Sequence, residues 1–567
     1  MIVMDDLKDF NPIAFLDDYR GKSFAGEWPT VSEMFSISVS RFADNNCFSD
    51  FDGEGGTKRT FTYREAKDKI DALSCFMRAC GVEKGDRIAV SGKNSPEWAI
   101  TYLAALYCSA IICPIDYALH EAEQENLLRR AEPKLFFVDE EKFEYYKNKD
   151  TPYKVYSLSP KNKDDYVLSL RGEDCVKASS SPSENDTAAI LFTSGTTGTP
   201  KGVMLSHKNL VSDCYIAQSH MHLYDSDVFY ALLPIHHAYT MLAVFIEAIS
   251  VGAEVVFGKS MAVTRLMKEL REGKITMLLG VPLLFNKIAS GIDKGMREKG
   301  ALVYGVLKAM RHLSYLIKKI TGKNLGKTLF KTVLKKANLY TIRIAICGGG
   351  PLASSVFRLY NEMGIDFVQG YGLTETSPII ALNPVQHFKI ESVGKYFDKY
   401  MDMKIINANA DGIGEIVVKG PMVMQGYYKM EAETAAVFTP DGYFKTGDLG
   451  RLDSEGYLML SGRVKNMIVT DGGKNVYPEE IEDMFQLETS IAQITVQGYV
   501  MDEKTKSEGI EALIYKAEGS SEADVKEAVE RVNKKLLPYQ RISKVTHLEK
   551  PLEMTTTLKV KRNYAKS

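Results

Sequence analysis

Blocks of apolar and polar positions alternate along residues 60–190, some with the period of a helix and others with that of a strand. Thr62 and Glu65 have the spacing of a capping box, which predicts a helix from this point to Gly81. Strands separated by helices in this way are typical of an α/β domain with a largely parallel sheet. The short apolar runs predicted as strands are residues 87–90, 135–138, 188–192 and 344–347.

One stretch without charged residues, 98–115, reaches the length of a membrane-spanning helix. It contains several polar side chains, and Pro114 lies near its end. We therefore expect a buried helix over 98–108 followed by a short strand over 110–113 rather than a membrane span.

The pattern changes after about residue 411 to short strands separated by glycine-rich turns. The C-terminal segment is rich in Glu and Lys, and amphipathic helices are predicted near 478–485 and 521–536 with strands between them. A chain of 567 residues exceeds what a single hydrophobic core usually serves. We predict a large N-terminal domain over 1–463 and a small α+β domain over 464–567.

The formal net charge is −2, so no global field favours nucleic acid or an acidic membrane. The eight cysteines show neither a CxxC pair nor a metal-ligand spacing, which predicts reduced, buried thiols. The first residues carry acids where a signal peptide has basic residues. Together these features predict a cytoplasmic protein.

The sharpest local signal is a segment rich in glycine and hydroxyl residues, 191–202, which follows a predicted strand. Glycines let backbone N–H groups approach a phosphate, hydroxyls donate hydrogen bonds, and Lys201 adds a positive charge. The lysine is followed by Gly202 and not by Ser or Thr, which excludes a Walker A loop. We predict a phosphate-binding turn that contains Lys201 and leads to a helix capped by Ser206. The residues assigned to phosphate binding are Thr193, Ser194, Gly195, Thr196, Thr197, Gly198 and Lys201.

Five further motifs occur after this loop. With it they resemble, in order and spacing, the adenylate-forming superfamily of acyl-CoA synthetases, firefly luciferase and peptide-synthetase adenylation domains, from about residue 60 to the C-terminus. This resemblance implies an α/β fold with a large multi-subdomain N-terminal AMP-binding (adenylation) domain, made of parallel-rich sheets with helices plus a small β-barrel-like part, and a mobile, small α+β C-terminal lid domain. The motifs are Leu-Pro-Ile-His-His (233–237), Gly-Gly-Gly-Pro-Leu (348–352), Tyr-Gly-Leu-Thr-Glu-Thr (371–376), Tyr-Phe-Lys-Thr-Gly-Asp (443–448) and Gly-Arg-Val-Lys-Asn (462–466).

The resemblance also implies how ATP and Mg²⁺ would be held. Thr374 would bind the α-phosphate, and Glu375 would be the Mg²⁺ ligand, a hard oxygen donor for a hard cation. Tyr371 would offer its ring to adenine, and Asp448 would accept hydrogen bonds from the ribose, with Arg463 nearby. The residues assigned to ATP beyond the phosphate loop are Gly348, Gly349, Gly350, Pro351, Gln369, Gly370, Tyr371, Gly372, Thr374, Asp448 and Arg463.

In this superfamily a catalytic lysine lies near the C-terminus and acts with residues that here correspond to Thr374, Glu375 and Arg463. Aligning the run 555–562 on its arginine selects Lys559, with Lys561 as the alternative. A protonated amine beside the carboxylate and the α-phosphate is what adenylation requires.

The second half-reaction, transfer to a thiol, implies a rotation of the small domain about a hinge at Lys465. Asn466 stands where the superfamily more commonly has Asp. A loop with Gly472, Gly473 and Lys474 would then line the binding site of coenzyme A.

Residues 301–337 give the best indication of the acid. Apolar residues recur there at helical spacing, and Lys327, Lys331 and Lys335 form a basic face on the second of two helices. Such helices either lie on an anionic membrane surface or pack on the domain with a solvated lysine face. This insertion and the C-terminal run resemble the long-chain fatty-acyl-CoA ligase branch, in which His237 would line the mouth of the acyl pocket.

The sequence therefore predicts an ATP-dependent ligase that activates a fatty acid as acyl-AMP with release of pyrophosphate and transfers the acyl group to coenzyme A. The alternatives are an acyl-[acyl-carrier-protein] synthetase, a ligase for medium-chain or other carboxylates, and a catalytically inert nucleotide-binding scaffold. The predicted partners are fatty acid, ATP and coenzyme A, with acyl carrier protein as an alternative and no nucleic acid. Residues 301–337 would make any peripheral contact with the inner face of the membrane.

Overall fold

The computed structural model of the chain describes residues 11–53, 56–172, 181–193, 199–260, 262–470, 474–502, 507–554, 560 and 562. The predicted site residues that lie outside the described residues are Ser194, Gly195, Thr196, Thr197, Gly198, Gly472, Gly473 and Lys559, as does the alternative Lys561.

Helices and strands alternate over the first part of the chain, as the apolar pattern predicts. The capping box is confirmed, because the Thr62 hydroxyl accepts a hydrogen bond from Glu65 N–H and the Glu65 carboxylate accepts one from Thr62 N–H. The elements are α1 (Val31–Phe42), β1 (Asn46–Asp50), β2 (Arg59–Thr62), α2 (Tyr63–Ala79), β3 (Arg87–Ser91), α3 (Pro96–Tyr107), β4 (Ile111–Pro114), α4 (Glu121–Ala131), β5 (Leu135–Val138), α5 (Glu140–Lys147), β6 (Lys154–Ser157), β7 (Thr187–Thr193), β8 (Lys201–Ser206), α6 (His207–Gln218), β9 (Val228–Ala231), α7 (Ala238–Thr240), α8 (Glu247–Val251) and β10 (Glu254–Phe257), with a π-helix at Met241–Ile246 between α7 and α8.

The uncharged stretch folds as the buried helix α3 followed by the core strand β4, as expected. Nearly every residue of α3 is buried, and its Trp98 and Tyr102 rings stack within the main hydrophobic core. Among the described residues, no helix has both the length and the apolar character needed to cross a membrane.

Helices dominate the next part, and short strands and turns follow them. The residues predicted as two helices over 301–337 form one long helix and two short ones. The elements are α9 (Val263–Glu272), β11 (Met277–Gly280), α10 (Pro282–Arg297), α11 (Ala301–Thr321), α12 (Gly326–Leu329), α13 (Lys331–Lys336), β12 (Ile344–Cys347), α14 (Ser354–Glu362), β13 (Asp366–Gly372), β14 (Ile379–Leu382), β15 (Lys395–Tyr396), β16 (Asp402–Ile406), β17 (Gly414–Lys419), β18 (Gly426–Tyr427), α15 (Glu431–Ala436), β19 (Phe444–Leu452) and β20 (Leu458–Arg463).

The C-terminal segment contains both predicted amphipathic helices, the second with Ser521 as its N-cap. Its apolar residues, from Ile468 to Ile542, form a hydrophobic cluster of their own. The elements are β21 (Ile468–Val469), β22 (Asn475–Val476), α16 (Pro478–Asp483), β23 (Ile491–Asp502), β24 (Ser507–Lys516), α17 (Glu522–Asn533) and β25 (Lys544–His547).

Two large sheets, mostly parallel, form the body of the protein. The seven-stranded sheet has the order β18-β8-β7-β4-β3-β5-β6, and the nine-stranded sheet has the order β15-β14-β13-β12-β11-β9-β10-β1-β2. Residues of both sheets, such as Ile112 of β4 and Leu279 of β11, belong to one hydrophobic cluster. Because ligands bind at the carboxyl ends of parallel strands, a ligand site is expected at the ends of β7, β12 and β13.

The remaining strands form smaller sheets. Strands β16, β17, β19 and β20 make a four-stranded antiparallel sheet, which is the small β part of the N-terminal region. The C-terminal segment has a two-stranded sheet, β21-β22, and a three-stranded sheet, β23-β24-β25. The mixed α/β class with parallel-rich sheets is confirmed.

Candidate active site

A cavity of about 610 Å³ lies at the carboxyl ends of β7, β12 and β13. This volume is in the range of small-molecule sites in proteins. The backbone enters the cavity where each strand ends, so residues that are far apart in sequence meet there. The predicted site residues that line it are Thr193, Lys201, His237, Gly348, Gly349, Gly370, Tyr371, Gly372, Thr374, Glu375 and Arg463.

The segment predicted to bind phosphate joins the paired antiparallel strands β7 and β8. Thr193 pairs with Lys201 across the two antiparallel strands. The expectation that Lys201 belongs to the turn is wrong, because it is the first residue of β8, and the helix follows only after this strand. Ser206 does cap that helix, since its hydroxyl accepts a hydrogen bond of 3.0 Å from Asn209 N–H.

Lys201 and Glu375 both contact the side chain of Tyr427. The Lys201 Nζ lies 4.7 Å from the centroid of the Tyr427 ring. The Tyr427 hydroxyl donates a hydrogen bond of 3.0 Å to Glu375 Oε1. Burial and the neighbouring Glu375 raise the pKa of Tyr427, so the phenol keeps its proton and remains a donor. Tyr427 therefore orients the Glu375 carboxylate through one of its two oxygens.

Tyr371, Asp448 and Arg463 form a hydrogen-bonded group at the cavity wall. Asp448 is only 7% exposed, and its two oxygens accept from the Tyr371 hydroxyl at 2.8 Å and from Arg463 Nε at 2.7 Å. Burial and Asp448 raise the pKa of Tyr371 well above its usual value. Burial alone would lower the pKa of Arg463, but the attraction of Asp448 outweighs it and raises that pKa. The backbone places the carboxylate, since Asp448 N–H donates to the Thr446 hydroxyl at 3.1 Å.

The glycine-rich segment after β12 and the end of β13 both run close along the cavity. Gly349 has a φ of +80°, which favours glycine. A Cβ at Gly372 would lie 1.6 Å from the carbonyl oxygen of Pro378, so only glycine fits there. Gln369 lies behind this wall and donates a hydrogen bond of 3.4 Å to the carbonyl of Gly350.

Some predicted residues lie beside the cavity and do not line it. Lys474 is exposed, and its carbonyl accepts a hydrogen bond of 3.0 Å from Thr470 N–H in a turn between β21 and β22. Pro351 contacts the C-terminal segment, where its carbonyl accepts a hydrogen bond of 3.0 Å from Gln486. The predicted residues in this position are Gly350, Pro351, Gln369, Asp448, Lys465 and Lys474.

Lys465 lies in the short turn that connects β20 to β21. Burial lowers its pKa, and the positive charges of Arg463 and Arg562 lower it further. Arg562 is held by the C-terminal segment, where it donates to the Val496 carbonyl at 3.1 Å and pairs with Glu482. The turn that contains Lys465 therefore lies between Arg463, which lines the cavity, and Arg562, which is held by the C-terminal segment.

His237 lines the cavity beside a buried partner. The His236 ring is 4.2 Å from the His237 ring between centroids, and its Nε2 is 3.4 Å from Asp116 Oδ1. The ligand atoms of Asp116, His236 and His237 lie within 4.8 Å of one another. Two imidazoles with one carboxylate suit a softer cation, whereas Mg²⁺ prefers oxygen ligands. Glu375 is therefore the better match to the chemistry of Mg²⁺.

One part of the cavity wall is mostly apolar. Ala217, Met221, Phe229 and Leu242 line it together with the buried carboxyl group of Glu247.

Sequence reasoning missed several residues that line the cavity. Tyr427 and Glu415 have no motif that points to them, and their positions depend on how β18 pairs with β8 and β17 with β19. Lys445 lies in the Tyr-Phe-Lys-Thr-Gly-Asp motif, so that motif was a signal that could have found it. Tyr239 anchors the wall through a hydrogen bond of 3.0 Å to the Ile346 carbonyl.

Comparisons with known proteins agree with this geometry. The chain is 28% identical over 553 residues to the long-chain-fatty-acid--CoA ligase FadD15 of Mycobacterium bovis, covering 88% of this chain and 89% of that protein. It is 27% identical over 441 residues to a feruloyl-CoA synthase of Amycolatopsis sp, covering 76% and 78%. The fold is that of o-succinylbenzoate coenzyme A synthetase (MenE) from Bacillus subtilis in complex with ATP and magnesium ion, with a TM-score of 0.74, 22% identity, and coverage of 94% of this chain and 99% of that one.

The family described as AMP-binding enzyme matches residues 35–428. This range includes the hairpin of β7 and β8, the glycine-rich segment after β12 and the pair Thr374 and Glu375. The chain belongs to the AMP-binding enzyme family.

Proposed function

We propose that the protein is an AMP-forming acid–thiol ligase that activates a fatty acid as acyl-AMP and transfers the acyl group to coenzyme A. One observation carries this proposal. A single cavity is lined both by residues of the predicted phosphate hairpin, Thr374 and Glu375, and by apolar side chains such as Leu242. A nucleotide triphosphate and the carboxylate of an apolar acid would therefore meet within one cavity.

The chemistry explains why such a cavity suffices. A carboxylate is a poor acyl donor, and attack of its oxygen on the α-phosphate of ATP gives a mixed anhydride and releases pyrophosphate. Most of this task is positioning and neutralisation of charge. Thr193 and Lys201 would bind the β- and γ-phosphates, and Thr374 would bind the α-phosphate. Tyr371 would offer its ring to adenine, and Asp448 would accept hydrogen bonds from the ribose, with Arg463 beside it.

Glu375 fits the role of a Mg²⁺ ligand. Its Oε1 is engaged by Tyr427, and the carboxylate lines the cavity beside Thr374. When bound, Mg²⁺ would neutralise the charge of the phosphates. Tyr427 would orient the carboxylate through its hydroxyl, and Lys201 adds a positive charge over the face of the same ring.

We place the boundary between the two domains at residues 463 and 464, with Lys465 as the hinge. The separate hydrophobic cluster from Ile468 to Ile542 supports a C-terminal unit with its own core. A change in the short turn at Lys465 would move Arg562, and with it the C-terminal segment to which Lys559 belongs in sequence, relative to the cavity. Lys559 would serve adenylation in one position, and the loop with Gly472, Gly473 and Lys474 would approach coenzyme A in the other.

The proposed acid is a long-chain fatty acid. The likeness to the ligase of Mycobacterium bovis supports this class, and the apolar walls beside His237 suit an acyl chain. The likeness to a feruloyl-CoA synthase keeps other carboxylates as the second candidate. Acyl carrier protein is the alternative thiol, and comparing free coenzyme A with carrier protein as acceptor separates the two.

We also propose that α11 contacts the membrane surface, where such acids partition. Of its residues, only Arg311 and Ser314 are buried. Arg311 pairs with Glu362 of α14 and Lys318 with Asp366 of β13, so this face is turned to the domain. The opposite face is apolar and open to solvent. Its exposed residues are Leu302, Val303, Val306, Leu313, Leu316 and Ile320.

Two experiments test these proposals. Carboxylic acids from acetate to oleate are assayed with ATP, Mg²⁺ and coenzyme A, and pyrophosphate release is expected to peak at long acyl chains. Release of no pyrophosphate with any acid would favour the inert scaffold and overturn the proposal. Sedimentation with anionic vesicles tests α11, and Leu313→Glu with Leu316→Glu is expected to abolish binding. Lys516→Glu, which lies in β24, serves as the matched control.

A further inference from the structure

Glu247 borders the apolar part of the cavity and begins α8. Its side chain is 1% exposed, although it lines the cavity together with Ala217, Met221 and Phe229. The helical turns that precede it are a π-helix, Met241–Ile246. Such segments are rare and frequently mark functional sites, because the extra residue in the turn redirects the side chains.

Neither carboxyl oxygen of Glu247 has a hydrogen-bond partner among the described residues. Gln218 and Cys214 lie close enough to the carboxyl group to lower its pKa, but neither meets it in hydrogen-bonding geometry, and the amide of Gln218 donates to the Ser250 hydroxyl at 2.9 Å. Burial raises the pKa of Glu247 to about 8, and Gln218 and Cys214 offset this only in part. At neutral pH the group is therefore a neutral carboxylic acid that can both donate and accept a hydrogen bond.

A second buried carboxyl group, that of Asp213, shows that burial alone does not leave both oxygens of a carboxyl group without hydrogen-bond partners. Asp213, in α6, is also fully buried, but one of its oxygens accepts a hydrogen bond of 3.2 Å from Ile379 N–H and it does not line the cavity. Glu247, by contrast, borders open space with both oxygens unpaired. Buried polar groups in proteins are nearly always paired, so the partner of Glu247 is expected from the side of the cavity.

We infer that Glu247 is a specificity-determining residue that forms hydrogen bonds with a hydroxyl or keto group carried by the acid at the end distal to its carboxylate. The substrate class is then a fatty acid oxygenated at or near its terminal carbon. This inference rests on the proposed function, since it assumes that the acyl chain fills the apolar part of the cavity.

The surroundings favour a neutral oxygen over the other possible chain ends. A terminal methyl group would leave both carboxyl oxygens unpaired and dry, which is unfavourable. A terminal ammonium would need Glu247 to ionise between Met221, Phe229 and Leu242, where a charge is poorly solvated. A hydroxyl or keto oxygen pairs with the neutral acid and adds no charge.

The test compares fatty acids with their ω-hydroxy counterparts at matched chain lengths, using pyrophosphate release and the ratio of the two kcat/KM values. Three variants are measured beside the wild type. Glu247→Leu removes both hydrogen-bonding atoms at similar volume, and Glu247→Gln keeps a donor and an acceptor. Met221→Leu changes an apolar residue in the same part of the cavity and is the matched control.

The wild type is expected to prefer the hydroxy acid at its best chain length. Glu247→Leu should lower the ratio by about tenfold to a hundredfold, mainly because the plain acid becomes the better substrate. Glu247→Gln and Met221→Leu should keep the preference. Thermal unfolding of each variant with ATP checks that it is folded, and Glu247→Met replaces Glu247→Leu if the latter fails this check.

Two results overturn the inference and are distinct from failure of the proposed function. One is a ratio that does not change in Glu247→Leu, and the other is a wild type that prefers the plain acid at every length. Absence of pyrophosphate with all acids contradicts the ligase assignment itself. In that case, calorimetric titration with the two acids still decides whether Glu247 recognises the hydroxyl group.

Discussion

The Tyr427 hydroxyl donates a hydrogen bond of 3.0 Å to Glu375 across 52 residues of sequence. The same tyrosine ring lies 4.7 Å from the Lys201 Nζ. One aromatic side chain thus links the phosphate hairpin to the carboxylate proposed to bind Mg²⁺, and it does so without belonging to any of the six motifs. Its contribution can be measured directly.

Replacement of Tyr427 by Phe removes this hydrogen bond and keeps the ring beside Lys201. A hydrogen bond to a charged group contributes about 1.5 to 3 kcal/mol, so the concentration of Mg²⁺ that gives half-maximal activity should rise about tenfold or more. Steady-state kinetics at varied Mg²⁺ measures this. Tyr428→Phe, next along the chain and not part of the cavity wall, should change nothing. An unchanged Mg²⁺ dependence in Tyr427→Phe would contradict the role of Glu375.

Replacement of Asp448 by Asn keeps the shape of the group and removes its charge. Tyr371 and Arg463 then lose a charged acceptor, and kcat/KM for ATP should fall about tenfold to a hundredfold. The control is Asp441→Asn, since Asp441 is exposed in the turn before β19. An equal loss of kcat/KM for ATP in Asp448→Asn and Asp441→Asn would point to a general destabilisation of the fold, which thermal unfolding would detect.

Lys559→Ala should separate the two half-reactions. The amine is proposed to act only in adenylation, so pyrophosphate release should fall about a hundredfold or more, the order found when a charged stabilising group is removed from an active site. Formation of thioester from preformed acyl-AMP and coenzyme A should be largely kept. Lys561→Ala is the matched control. Loss of pyrophosphate release in Lys561→Ala, with release kept in Lys559→Ala, would assign the role to Lys561.

Gly372→Ala should weaken ATP binding, because its Cβ would lie 1.6 Å from the Pro378 carbonyl oxygen and must displace backbone beside Thr374. We expect a loss of about tenfold or more in affinity, together with a stability loss of about 1 to 3 kcal/mol. Titration of ATP by calorimetry measures the affinity. Gly295→Ala in α10, where a Cβ meets nothing within 4 Å, should retain binding and gain slightly in helix stability.

His207 should make the protein sensitive to mild acid. Burial lowers its pKa from 6.5 to about 4, and its Nδ1 accepts a hydrogen bond of 3.1 Å from Val31 N–H. Below pH 6.5 the unfolded state binds a proton that the folded state does not, so stability falls as the pH decreases from 6.5 to 4, by about 3 kcal/mol. His207→Asn keeps an acceptor and cannot ionise.

The check is thermal unfolding of this variant from pH 7 to 4. The loss of Tm on acidification should be smaller in His207→Asn than in the wild type. His547→Asn, at an exposed position of β25, should behave as the wild type. The same acid sensitivity in His207→Asn and wild type would mean that the imidazole does not remain neutral on folding.

Local patterns were sufficient for the elements and for most of the site. The capping box of Thr62 and Glu65, the buried helix α3 and the short core strands follow from spacing and polarity over a few residues. Motifs such as Thr374-Glu375 mark residues that line the cavity, because glycines and hydroxyls at strand ends are needed wherever backbone approaches a phosphate.

The assignment of Lys201 to the turn was wrong for a physical reason. Polar and glycine residues are typical of turns, but at β8 the pairing with β7 outweighs local preference, so Thr193 and Lys201 face each other in a hairpin.

Only the tertiary structure decided what surrounds the motifs. Tyr427 reaches Glu375 because β18 pairs with β8, and Glu247 reaches the cavity because a π-helix precedes α8. Strand pairing and packing join residues that are distant in sequence, and no local pattern encodes such a meeting. The sequence by itself determined the family and many of the residues that line the cavity, whereas the fold decided which side chains support them and that a buried acid borders its apolar part.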